Sequence, residues 1–240
     1  MTEQLLHGKL AKYYDHLNSF RDYLDEAVRL QNIIIKYSPK EPTTILDVAC
    51  GTGLHLKHLK DDYSCTGIDI SKDMLKIARK NTRGITFKQA DMKKLKLKKE
   101  FDIITCLFGS IGYLKTQGYL KKTIINFYNH LTKGGLLLLE PSHSKSFYSS
   151  GKPSITVYNG KDTKITRINI SKIQTSLSKL NMHIIIAEKG KEPNYFIDYH
   201  KLGLFTIKDT VKIIRNTGFK TKFLTNGLRV GRELIVGIKK

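Results

Sequence analysis

The segment Ile45-Leu46-Asp47-Val48-Ala49-Cys50-Gly51-Thr52-Gly53 starts as an apolar, strand-like run, breaks at two glycines and passes into leucines at 54, 56 and 59. Gly51 and Gly53 permit a tight turn and let a ligand approach the backbone with no Cβ in the way, and the N-terminus of the following helix offers free N–H donors. A dinucleotide fingerprint needs glycine at position 56; Leu56 stands there, which disfavours pyrophosphate binding of the Rossmann kind. Asp69 closes the next strand-like run, where one carboxylate can accept hydrogen bonds from both hydroxyls of a ribose. Asp91 and Met92 follow a third run and offer an acceptor for an adenine amino group beside a thioether that packs on the ring. Together with Asp47, these residues are suited to hold an adenine nucleoside.

Positioning them requires strands that end side by side. Leu17, Phe20, Leu24, Val28 and Leu30 predict an amphipathic helix over residues 15–37, stopped at Ser38-Pro39. Strands are predicted over 43–48, 65–70, 85–87, 101–107 and 136–140. Helices are predicted after Gly53, over 72–81 with Ser71 as N-cap, and over 119–131. This alternation indicates a doubly wound α/β fold with a mostly parallel seven-stranded sheet. After Pro141 the pattern changes to short alternating stretches at 155–158, 164–170, 183–186 and 195–199, with turn signals at Asn159-Gly160 and Lys189-Gly190. They predict an antiparallel β region inserted into the core. A helix over 206–216 and strands over 219–224 and 233–238 then complete the sheet. The expected division is a cofactor core at 1–141, the insertion at 142–203, and the end of the sheet at 204–240.

Composition sets outer bounds. The 240 residues, 40% hydrophobic, are enough for a real core. No apolar run approaches the roughly 20 residues of a membrane-spanning helix, and no signal peptide or membrane association is expected. Cys50, Cys65 and Cys106 are sparse, lack CxxC spacing and lie in or beside strand-like runs. They are expected to be reduced and buried in a cytoplasmic protein, with no disulfide framework and no metal site. The net charge of +21 suits an anionic partner, and equally a Lys-rich proteome. Residues 72–99 hold much of the excess, against only Asp73 and Asp91, but Phe87 is their sole aromatic, which disfavours base stacking.

Read in order over 45–141, "ILDVACGTG", "GIDIS…ML", "ADM" and "LTKGGLLLLEP" resemble successive motifs of class I S-adenosylmethionine-dependent methyltransferases with a Rossmann-like fold. The stretch 106–114, where such enzymes place acceptor chemistry, contains no proline, unlike the Asn/Asp-Pro-Pro-aromatic motif of enzymes that methylate nucleobase amines. Cys106 follows Thr105 rather than the proline of RNA cytosine enzymes. With "YYD" near the front, "GSIGYLKT", "EPS", "YHKLGLF" and "GREL", nearly the whole chain is similar to nucleotide-linked amino-sugar N,N-dimethyltransferases, which act on dTDP-3-amino-deoxysugars.

The resemblance implies S-adenosylmethionine as cofactor, S-adenosylhomocysteine as product, an anionic nucleotide sugar as substrate, and a homodimer whose inserted sheets help form the substrate cleft. It implies that Tyr14 and Tyr23 contact the methionine part of the cofactor and Ala49 the glycine turn's ligand, with Leu107 packing beneath. It assigns Asp69 to the ribose and Asp91 and Met92 to the adenine, while Asp47, Gly51 and Gly53 complete the cofactor set. Tyr113 takes the place of a proton acceptor, His200 lies on the exit strand of the insertion, and Arg232 matches an arginine near the substrate diphosphate. Two departures stand out. Ser142-His143 replaces an aromatic pair, and an extended N-terminal arm has no evident counterpart.

Methyl transfer from a sulfonium needs no metal; the protein positions, desolvates and excludes water. The acceptor amine must be neutral, and a free phenol titrating near 10 is a weak base unless its site helps. Tyr113 is therefore expected to orient the amine and relay its proton, or else to form a wall of the pocket. The competing readings are an RNA methyltransferase and a non-catalytic cofactor- or RNA-binding scaffold. The scaffold is disfavoured because Asp47, Gly51, Gly53 and Asp69 are intact.

Overall fold

The computed structural model describes residues 4–142 and 151–240. Seven strands form the main sheet: β1 (Thr44–Val48), β2 (Ser64–Asp69), β3 (Thr86–Gln89), β4 (Phe101–Cys106), β5 (Leu131–Leu139), β10 (Phe219–Leu224) and β11 (Leu234–Lys239). Their order across the sheet is β10-β11-β5-β4-β1-β2-β3. Strands β1 to β5 run parallel, and β11 is antiparallel to both β5 and β10. The order reverses beside β1, so the C-terminal ends of β1 and β4 open a crevice of the kind that takes ligands in open α/β sheets.

Both faces of the sheet are buried, which is why β4 reads as six consecutive buried residues. One face packs on α5 (Gln117–Asn129) and α6 (Ile207–Asn216) through Leu120, Ile124, Phe127 and Ile214. The other packs on α2 (Tyr23–Tyr37), α3 (Leu54–Leu59) and α4 (Lys72–Asn81) through Ala27, Leu30, Ile34, Leu56, Leu59, Leu75 and Ala78. The predicted cap is present, Ser71 accepting the Met74 N–H at 3.1 Å, and Thr206, expected as the first helical residue, caps α6 by accepting the Asp209 N–H at 3.0 Å.

A second, four-stranded antiparallel sheet runs β6 (Ser154–Asn159), β7 (Thr163–Gln174), β8 (Leu177–Glu188), β9 (Asn194–Gly203). Its inner face, with Ile165, Ile184 and Ile186, packs on Leu6, Leu10, Tyr13 and Leu17 of the N-terminal segment. That segment includes the 3-10 turns Leu5–His7 and Ala11–Tyr13 and a single-turn helix α1 (Tyr14–Leu17).

Three expectations need correcting. The helix predicted over 15–37 is two helices, because Asn18 ends α1, its amide donating back to Tyr14 O, and Asp22 caps α2 by accepting the Asp25 N–H at 2.9 Å. The face of α2 that turns inward carries Glu26, Ala27, Leu30 and Ile34, while Leu24 and Val28 are exposed. The fifth strand begins at Leu131 and runs through the two glycines, Gly134 adopting φ 76° where the pairing with β4 shifts register. An N-terminal arm also exists: residues 4–13 lie across the inner face of the second sheet.

Candidate active site

A cavity at the crevice is lined by Tyr14, Arg21, Tyr23, Asp47, Ala49, Gly51, Thr52, His55, Leu107, Phe108 and Ser110. Six of the residues expected to meet the cofactor thus come together: Tyr14, Tyr23, Asp47, Ala49, Gly51 and Leu107. The turn itself is left-handed at Ala49 (φ 59°), Gly51 (55°) and Gly53 (76°). A Cβ built on Gly51 meets nothing within 4 Å, so that side of the turn is open to a ligand. Gly53 acts in packing instead. Its Cβ position is 3.0 Å from the Phe87 ring and 3.2 Å from Ala78, so it lets α3 start close against its neighbours.

Asp69, at the end of β2, accepts the Gly51 N–H at 2.9 Å on one oxygen and the Ser71 N–H at 2.8 Å on the other. Each oxygen keeps a lone pair for a hydroxyl, which suits a ribose. Burial raises the Asp69 pKa, countered by those backbone donors. Asp91 caps a 3-10 turn by accepting the Lys93 N–H at 2.9 Å, and Met92 packs against the core beside it. Neither lines the cavity at the glycine turn; both stand at the end of β3, on the far side of β2 from β1.

The cavity is lined by polar groups that are themselves buried. Asp47 is buried and accepts the Thr105 Oγ1–H at 2.7 Å; burial pushes its pKa from 3.8 to about 6. Burial also raises the phenols of Tyr14 and Tyr23, the latter to about 12, so both stay neutral donors. Asp15, of the "YYD" run, accepts the Thr52 hydroxyl at 2.6 Å and so ties α1 to the glycine turn.

Sequence reasoning missed the charge network that closes one wall. Buried Glu26 pairs with Arg21 through both carboxylate oxygens and with His55 Nε2 at 2.7 Å. Burial would raise its pKa, but His55 and Arg21 hold it at about 2. Glu140, at the end of β5, accepts the Phe108 N–H at 2.7 Å and pairs with Arg232 at 2.6 Å. Arg229 stands 3.3 Å from Glu26 and 3.9 Å from Glu140. Phe108 holds φ 55°, a conformation that costs on the order of 1–2 kcal/mol outside glycine. Its amide bond to Glu140 and the Arg21 guanidinium 4.0 Å from its ring centroid keep it there. The legible signal was the Glu140 of "EPS"; nothing in the sequence marked Arg21 as its neighbour. Arg232 is thus bound to a buried carboxylate.

A second cluster adjoins the first. The hydroxyl of half-buried Tyr113, on the 3-10 turn Ser110–Leu114, lies 2.8 Å from His200 Nδ1, and His200 Nε2 lies 2.9 Å from Asp198. His7 of the arm packs its ring 5.5 Å from Tyr113, 5.4 Å from His200 and 5.9 Å from Tyr14. On the inner face of the same sheet, Arg167 is buried, donates to Thr156 Oγ1 at 3.1 Å, and has no carboxylate among the described residues. His143 lies outside the described residues.

A methyltransferase-domain family model matches residues 45–135, the stretch that carries the glycine turn, Asp69 and Asp91. The dTDP-3-amino-3,4,6-trideoxy-alpha-D-glucopyranose N,N-dimethyltransferase of Streptomyces venezuelae is 32% identical over 95% of this chain and 97% of its own length. The dTDP-3-amino-3,6-dideoxy-alpha-D-glucopyranose N,N-dimethyltransferase of Streptomyces fradiae is 30% identical over 96% of this chain and 91% of its own. Among solved structures, Streptomyces venezuelae DesVI superposes with a TM-score of 0.89 at 31% identity, covering 96% of this chain and 98% of that one. The sugar N-methyltransferase KedS8 from Streptoalloteichus superposes with a TM-score of 0.87 at 26% identity, covering 100% of this chain and 94% of that one. The likeness spans both sheets and the crevice at the ends of β1 and β4, and the chain belongs to the methyltransferase family that contains these amino-sugar N,N-dimethyltransferases.

Proposed function

We propose that the protein transfers methyl groups from S-adenosylmethionine to the amine of a nucleotide-linked amino sugar. One observation carries the reading: Tyr14 belongs to both clusters, lining the cavity at the glycine turn and packing on His7, which touches Tyr113 and His200. A cofactor site and a polar acceptor site therefore share a wall. The fit to the cofactor rests on the open side of Gly51, the spare lone pairs of Asp69, and a buried Asp47 suited to a ligand's ammonium.

S-adenosylmethionine supplies a methyl group already activated on a sulfonium, which passes to an amine lone pair as the C–S bond breaks and the thioether leaves. The protein's residues position and desolvate. Asp69 is assigned to the ribose, Asp91 and Met92 to the adenine, Tyr14, Tyr23 and Asp47 to the methionine end, Ala49 to contact at the turn, and Leu107 to the floor. Gly51 and Gly53 shape that turn. On the acceptor side, Tyr113 is assigned to the amine, with His200 behind it. Two cations are assigned to the anionic part of the substrate. Arg232 is held by Glu140, whereas Arg167 has no carboxylate among the described residues to neutralise it. The inserted unit, 142–203, is taken as the cover of this cleft, and the working form as a homodimer in the cytoplasm.

The test is incubation with labelled S-adenosylmethionine and a panel of dTDP-amino sugars, the same amino sugars without nucleotide, small amines and RNA. Transfer to the nucleotide sugars, strongly reduced without the diphosphate, is the expected result, and mass spectrometry counts the methyls. Transfer to RNA alone would sink the reading.

A further inference from the structure

Asp198 is buried on the inner face of β9 and does two things at once. One oxygen accepts the backbone N–H of Leu5 at 2.9 Å. The other accepts that of Leu6 at 2.8 Å and faces His200 Nε2 at 2.9 Å. A deprotonated carboxylate can only accept, so His200 must carry its proton on Nε2. In the neutral ring Nδ1 then holds a lone pair, and the Tyr113 hydroxyl, 2.8 Å away, donates to it. With its proton so directed, the Tyr113 oxygen can only accept from a further partner, which is the role a substrate ammonium requires. The arrangement has the logic of a carboxylate, an oriented imidazole and an activated hydroxyl.

We propose that Asp198 is a positioning residue that, through the tautomer of His200, makes Tyr113 the proton acceptor for the substrate amine, and that the same carboxylate latches the N-terminal arm beside the relay. This rests on the amine-methylating reading above. The proton balance is simple. A substrate N–H proton passes to the Tyr113 oxygen as the phenol's own proton passes to His200 Nδ1, giving an imidazolium that Asp198 neutralises. The freed lone pair then attacks the methyl group. Before a second methylation the imidazolium returns its proton through the Tyr113 hydroxyl to water while the cleft is open for cofactor exchange, and the product ammonium then loses a proton by the same route.

The surroundings fit. Among the described residues, the titratable groups around His200 are Asp198 from its own strand, Tyr113 from the turn after β4 and His7 from the arm. The cross-strand neighbours on β8, Leu180 and Met182, are uncharged. Burial and the nearby His200 lower the His7 pKa to about 4, so at neutral pH His7 adds no charge to repel an imidazolium. Burial alone would raise the Asp198 pKa, but the bonds from His200, Leu6 and Leu5 hold it below its ordinary range. The arm is latched at its other side too, where Ser71 Oγ donates to His7 O beside the Asp69 turn. Arm, ribose-binding strand and relay are therefore one connected unit.

The test is Asp198→Asn. An amide placed here donates to Nε2, moves the ring proton to Nδ1 and leaves Tyr113 with nothing to receive its proton. A sugar amine with a pKa of about 8 to 9 is only a few per cent neutral at pH 7, so loss of the relay lowers kcat there by roughly 10- to 100-fold. Above about pH 9.5 the amine is neutral unaided, and the variant approaches the wild type. Tyr113→Phe shows the same convergence, and the double variant is no slower than either single one. A deficit that stays constant across pH, or none at all, overturns the proposal. Two readouts need no turnover. ¹⁵N NMR reports an Nε2–H tautomer for His200 in the wild type and Nδ1–H in Asp198→Asn. With the amide nitrogen turned to Nε2 the oxygen keeps the Leu5 N–H and the Leu6 N–H loses its acceptor, so hydrogen exchange at the Leu6 amide accelerates in the variant. An unchanged tautomer or unchanged exchange overturns the proposal even if no sugar in the panel is methylated, which would count against the acceptor reading alone.

Discussion

At the scale of the residue, Asp47 shows how a binding site is held against the preferences of the fold. Its carboxylate is buried with one hydroxyl donor, and burial raises its pKa from 3.8 to about 6. Between those values the native state binds more protons than the unfolded chain, so stability falls as pH rises through that window and stays lowered above it. The cost at pH 7 is about 3 kcal/mol, at about 1.4 kcal/mol per tenfold change in proton affinity. Asp47→Asn keeps an acceptor for Thr105 and removes the charge. It is expected to raise the melting temperature at pH 7, to have no such effect near pH 4, and to weaken S-adenosylmethionine binding. Thermal melts at the two pH values and a cofactor titration check this; an unstabilised variant at pH 7 refutes it. Asp47, Gly51 and Asp69 were legible because each acts from a fixed place in a strand–turn–helix unit. Arg21, Asp198 and Arg167 were not, because their partners are far away in sequence or on another strand, and no local pattern marks such a contact.

At the scale of the element, hydrophobic period was a good guide to strands buried on both faces and a poor one to elements with a functional face. The inward face of α2 holds Glu26, which a count of apolar residues scores as solvent-facing, and Leu24 and Val28 were assigned inward in its place. The strands of the insertion run longer than their apolar stretches. β7 and β8 meet at a turn with Thr175 at φ 55° and no glycine, so no turn signal was visible. That sheet is covered on its inner face by the arm, while Ile155, Val157, Ile185, Tyr195 and Tyr199 lie open on the other. The register aligns Val157, Thr166, Ile185 and Tyr195 in one row across all four strands, a flat apolar surface suited to a symmetric copy. The protein is expected to sediment as a dimer at micromolar concentration and Ile185→Lys as a monomer. A monomeric wild type would refute the homodimer and leave the catalytic reading standing.

At the scale of the molecule, part of the net charge of +21 now has an address. Lys72, Lys76, Lys80, Arg83, Lys88, Lys94, Lys96, Lys98 and Lys99 are exposed around α4 and the β3 edge, and Phe87, the one aromatic among them, is buried against the glycines. This surface can attract a polyanion, but the one exposed ring beside it is Tyr119, with Lys93 5.3 Å from its centroid, and a single ring makes no interleaved stacking platform for bases. Salt separates its effect from catalysis. An RNA that engages 6 to 10 phosphates loses on the order of 10³ to 10⁵ in affinity between about 50 and 200 mM salt, because each contact releases a condensed counterion. A partly buried site that takes a single diphosphate is screened far less, and its KM should change by roughly tenfold or less. RNA binding, measured by filter retention, is therefore expected to collapse over this range without methyl transfer at either end, while turnover of a dTDP-amino sugar persists. If methyl transfer falls with the same steep slope as RNA binding, the basic surface belongs to the substrate site and the acceptor is a polyanion.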